Sequence, residues 1–165
     1  MPRASSTPRR PAQLAASGFT AEQWRLLSKL PAEVMIATVS LWDDGPRRTV
    51  AEGLAGLDAI AAGRWSDSDL VRAVVAAIYA EPEEDPPPVA RPPVLDPLAR
   101  QAQVLADCRR VVAALRASAD PADSAAYRHW VQQVAVRVCR AARSGGAPAT
   151  GATDHFLDQL GAALF

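Results

Sequence analysis

From Phe19 onward, apolar side chains recur every three or four positions rather than in alternation, in blocks punctuated by proline, glycine or a capping residue. That period is helical. Thr20 and Gln23 have the spacing of a capping box, and Phe19 can staple onto Trp24. They predict a helix from Thr20 to about Lys29 with Trp24, Leu27 and Leu30 on one face. Pro31 suits the first turn of a second helix. Residues 32–42, AEVMIATVSLW, are apolar almost all round, which fits a buried helix or a buried strand; length and helical neighbours favour the helix. Thr49 with Glu52 forms a second capping box, and Val50, Leu54, Leu57 and Ile60 then repeat as an apolar stripe until Gly63 supplies a stop. Ser66 with Asp69 opens a fourth helix, with Leu70, Val74, Val75, Ile78 and Tyr79 on a wide apolar face, ending at Glu81.

The pattern then breaks. PEEDPPPVARPPVLDP, starting at Pro82, carries seven prolines in 16 residues, which forbids helix interior and sheet ladder alike and predicts a semi-extended connector over 82–96. Its PxxP-like spacing could dock an aromatic groove, but spanning two halves of a bundle is its simplest role. Asp96 as cap with Pro97 in the first turn opens a fifth helix, with Leu98, Leu105, Val112 and Leu115 on one face. Asp120 and Pro121 repeat the device for a sixth, which turns Tyr127, Trp130, Val131, Val134 and Val138 inward before Ser144-Gly145-Gly146 ends it. Thr153 or Asp154 caps a last helix with Phe156, Leu157, Leu160 and Leu164 on one side. No segment alternates as a strand would. The expectation is an all-α fold, a single compact bundle of about seven helices, four before the connector and three after it. Residues 19–165 form the helical domain. Residues 1–18, with three arginines, three prolines and no apolar period, read as a disordered tail.

Charge adds a constraint rather than a clue. Eighteen basic residues balance 18 acidic ones, so no net field draws nucleic acid or an anionic membrane, and nucleic acid is not expected as a partner. Arginine supplies all the basic residues but Lys29, alongside abundant alanine, which fits the codon usage of a GC-rich bacterial genome. No apolar run reaches the 18 to 20 or so residues of a membrane span, and residues 1–18 show no signal-type apolar core; a cytoplasmic protein is the default. Cys108 and Cys139 stand apart with no CxxC and no histidine grouping, so buried free thiols are expected rather than a zinc or redox site. His129 and His155 have no nucleophile motif beside them. A meeting of His129 with either cysteine is a matter for the fold. Arg137, Arg140 and Arg143, with Arg128, can form a basic stripe, read as a solvated face near a helix C-terminus.

The candidate chemistry lies in SLWDDGPRRTVAEGL, residues 40–54, where Asp43 and Asp44 precede a glycine and a proline and Glu52 follows. Counted as an EF-hand with Gly45 sixth, the ligand positions hold Ser40, Trp42, Asp44 and Ala51, so the loop is not one. An apolar helix, Asp44-Gly45, then a capped helix carrying Glu52 resembles the acidic turn of the TerB-like tellurite-resistance family. Those are all-helical bacterial proteins whose acidic turns are linked to metal binding. The family's glutamate usually follows its aspartate by about seven places; here the spacing is eight, with Pro46, Arg47 and Arg48 in the turn. The counterpart of the family's second turn keeps only Asp154 and Asp158. FTAEQWRLLSKLP and AAYRHWVQQVAVRVCRAARSGG further resemble a group of bacterial helical proteins of unknown function.

Two functions stay open on these residues, with a helical enzyme a third that only a pocket with converging polar groups would revive. With no phosphate loop, triad or ligand cluster, the leading expectation is a non-enzymatic helical module acting through contacts with a protein partner, self-association included. The resemblance implies a stress-response or membrane-surface setting. It also implies the alternative, a TerB-like protein responding to a divalent cation at Asp43, Asp44 and Glu52, with Asp58 further along the helix. On the plain reading Glu52 is a cap and the two aspartates a polar turn.

Overall fold

The computed structural model describes residues 16, 18–42, 46–80, 96–147 and 151–165, the side chains of 46–48 excepted. The expectations for the N-terminal tail before residue 16, for Asp43 and Asp44, and for the connector up to residue 95 lie outside the described residues. What is described is all helical: α1 (Ala21–Val39), α2 (Pro46–Ala62), a 3-10 turn (Gly63–Trp65), α3 (Asp69–Tyr79), α4 (Pro97–Ser118), α5 (Pro121–Ser144) and α6 (Gly151–Leu164).

There are thus six α-helices among the described residues, not about seven, because the first two expected helices are one. Pro31 lies inside α1, buried, and does not break it. A proline there removes the N–H that would serve the carbonyl four residues back, which is that of Leu27. The Tyr127 hydroxyl of α5 donates to that carbonyl across 2.7 Å. Tertiary packing thereby supplies the donor that the helix lacks, and the continuous apolar surface from Leu27 to Ala37 keeps the helix whole.

The caps expected from sequence hold at three starts. Thr20 and Gln23 exchange their capping-box bonds at 3.1 and 2.9 Å, with the Phe19 and Trp24 rings 6.2 Å apart. Asp96 accepts from the Ala99 amide at 2.9 Å and Asp120 from the Ala122 amide at 2.8 Å, each ahead of a proline in the first turn. Elsewhere the boundaries move. The cap of α3 is Ser68, not Ser66; it accepts from the Val71 amide and donates to Asp123 at 2.6 Å, tying the start of α3 to the first turn of α5. α3 ends at Tyr79 rather than Glu81, and α6 begins at Gly151, ahead of Thr153 and Asp154. Gly146, at φ 86°, takes the left-handed conformation just past α5, where a side chain would be strained.

Helices α1, α3, α4, α5 and α6 share the main core: Leu27, Leu30 and Val34 meet Leu70, Val71 and Val74, Cys108, Val111 and Leu115, Tyr127 and Val131, and Phe156, Leu160 and Leu164. Each such side chain contributes about 1.5–3 kcal/mol by leaving water. A second cluster joins α2 to α5 through Ala59, Ile60 and Val134, with Met35, Ile78 and Trp130 packed against it. Leu98, expected on the inner face of its helix, is 76% exposed, as α4 meets the bundle only further along.

Candidate functional site

The second helix departs most from its sequence pattern. Val50, Leu54 and Leu57, the expected apolar stripe, point outward at 60, 58 and 47% exposure, and of that series only Ile60 is buried. The face turned to the bundle carries Glu52, Gly56, Ala59 and Ile60, with Gly63 just beyond. Small side chains let the backbone of α2 lie close to its neighbours. A β-carbon at Gly56 would stand 2.4 Å from Met35 Cγ of α1 and 3.1 Å from Val138 Cγ2 of α5. One at Gly63 would stand 2.7 Å from the Trp130 indole nitrogen. The spacing of Gly56, Ala59 and Gly63 is a helix-approach signal, and the larger residues Val50, Leu54 and Leu57 obscure it.

α2 ends at Ala62, so Gly63 does stand at the helix stop, and it matters as a packing position as well; among the described glycines the positive φ belongs to Gly146. Its neighbour Trp130 donates from Nε1 to the Ala59 carbonyl at 3.1 Å, serving a carbonyl in the last turn of α2.

Of the acidic trio, Glu52 has described surroundings. The helix starts at Pro46, so Thr49 is inside it and exposed, and the expected Thr49–Glu52 capping box does not mark the helix start. Glu52 is 1% exposed, on the inner face. Its carboxylate is near enough to Cys139 of α5 to act on that thiol. Burial first, then Asp154 and Glu52, push Cys139 up to about 11 against the opposing pull of Arg143. Among the described residues no group of three or more histidine, cysteine, aspartate or glutamate side chains is placed to hold a metal ion.

The cysteines are free and buried, and burial pushes Cys108 up to about 12. A thiol held protonated is a poor nucleophile. His129 packs against Phe165, with ring centroids 4.8 Å apart and the planes tilted by 51°. The arginines expected as a stripe are divided in their roles: Arg143 pairs with Asp154 at 3.1 Å, and Arg128 donates to the Ser124 and Leu164 carbonyls and lies over the Phe165 ring. None of the described helices is long and apolar enough to cross a membrane.

No family model, no curated protein and no solved structure matches this chain.

Proposed function

We propose that this chain is a non-enzymatic helical module that acts through protein–protein contacts made by the outward face of α2. The observation that carries this reading is the exposure of Val50, Leu54 and Leu57 at helical spacing, 60, 58 and 47%. Single exposed aliphatic residues are ordinary, but a row of three along one helix face is the form in which helices meet partners. Cys108 and Cys139, buried and held protonated above their ordinary range, are poor nucleophiles.

The test is comparative capture from a native lysate, with the wild-type chain and a Leu54→Glu/Leu57→Glu variant as baits, alongside light scattering of both. A stoichiometric partner or a self-associated species present with wild type and lost in the variant is expected. A wild-type chain that is monomeric and recovers nothing beyond what the variant recovers overturns the reading.

A further inference from the structure

On the other side of the α2–α5 contact, the 3-10 turn and α5 enclose an open groove of about 260 Å³, lined among others by Trp65, Ser66, Trp130, Gln133 and Arg137. Trp130, Gln133 and Arg137 follow one another at helical spacing along one face of α5. Trp65 is 81% exposed, although an indole gains more from burial than almost any other side chain. The Arg64 guanidinium lies 5.7 Å from the Trp65 ring centroid, and neither Arg64 nor Arg137 makes an ion pair among the described residues. Among the described residues, no acidic side chain lines the groove. It therefore offers an aromatic surface, an amide and a hydroxyl for hydrogen bonds, and positive charge without a counter-charge in its lining.

We propose that this groove binds a small planar organic anion, an aromatic ring bearing a carboxylate, with the ring against Trp65 and the carboxylate on Arg137. Two features select that class. The volume suits one or two fused rings and is too small for a folded segment. A guanidinium accepts a planar carboxylate in a two-pronged geometry, stronger than a neutral hydrogen bond. Gly63 keeps the groove in shape, because a larger residue there would displace Trp130 from it.

The probes are 1-naphthoate and its neutral isostere 1-naphthamide, titrated into the full chain while the indole N–H resonances of the tryptophans are followed by NMR. The expected result is saturable movement of the Trp65 and Trp130 signals with 1-naphthoate, and affinity at least about tenfold weaker for 1-naphthamide. Arg137→Gln should weaken the carboxylate to about the level of the amide, and Trp65→Ala should remove binding of both. Both side chains are exposed, so both variants fold. Absence of saturable movement, equal affinity for acid and amide, or full affinity in Arg137→Gln would each overturn the proposal.

Discussion

The Tyr127 hydroxyl donates to the Leu27 carbonyl across 2.7 Å, and Leu27 stands four residues before Pro31, which has no N–H to offer that carbonyl. One side chain of α5 thus completes a helix that its own sequence leaves incomplete. The tyrosine is fully buried, and burial, with Cys108 adding to it, raises its ionisation well above the ordinary phenol range, so it stays a donor.

Removing that donor should therefore cost more than an average hydrogen bond. Tyr127→Phe keeps the ring and strands a buried carbonyl, an expected loss of about 1–3 kcal/mol in urea unfolding. Pro31→Ala restores a backbone N–H to the same carbonyl, so Tyr127→Phe should cost distinctly less in that background. Equal costs in the two backgrounds would show that Tyr127 and Pro31 are not coupled through Leu27.

Gly63→Ala should be destabilising although the backbone there is ordinary. The new β-carbon would stand 2.7 Å from the Trp130 indole nitrogen and 2.8 Å from Val75 Cγ2, so Trp130 must shift and its bond to the Ala59 carbonyl must lengthen. An overpacking cost of about 1–3 kcal/mol is expected, with a changed Trp130 indole N–H signal. The half-buried Gly53, where a β-carbon meets nothing within 4 Å, is the control; Gly53→Ala should be neutral or stabilising, as alanine is the better helix former.

Stability should fall at high pH. Cys108 and Cys139 are raised from about 9 to about 12 and about 11, and Tyr127 is raised from its ordinary 10. In the unfolded chain the thiols ionise near 9 while the folded chain still holds their protons. The folded state then binds more protons, and its stability declines as pH rises from about 9, through Cys139 as far as about 11 and through Cys108 as far as about 12, by up to about 1.4 kcal/mol per pH unit for each thiol. Urea midpoints measured between about pH 8 and pH 11 should show the decline, and Cys108→Ala should flatten it. A midpoint independent of pH over that range would contradict burial of the two thiols.

Helical class, the three side-chain caps at Thr20, Asp96 and Asp120, and the inward set Tyr127, Val131, Val134 and Val138 were legible in the sequence, because each depends on residues within one turn or on one helical period. The union of the first two helices was not. Pro31 reads locally as the first turn of a new helix, and the Tyr127 donor that keeps the helix continuous lies 100 residues beyond Leu27, whose carbonyl it serves. The inner face of α2 was hidden for a different reason. Hydrophobicity favours Val50, Leu54 and Leu57, whereas the close contact needs small side chains, and Glu52, read as a cap, lies on that close-packed face. Trp65 and Arg64 gave no periodic signal, since an exposed indole differs from a buried one only in what surrounds it.

The outward face of α2 makes the sharpest contrast between pattern and packing. If Val50, Leu54 and Leu57 stabilised the monomer, polar replacement would cost what a core truncation costs. They are about half exposed, so Leu54→Ser and Leu57→Ser should change unfolding free energy by about a few tenths of a kcal/mol beyond the helix-propensity difference. Ile60→Ala, three residues further along and 2% exposed, should lose about 2–5 kcal/mol. Dilute urea unfolding separates these outcomes, because dilution removes any contribution from association. Should wild type alone gain stability with rising protein concentration, while Leu54→Ser and Leu57→Ser do not, the α2 face is where copies of the chain meet. A concentration-independent wild type leaves that face for a different protein.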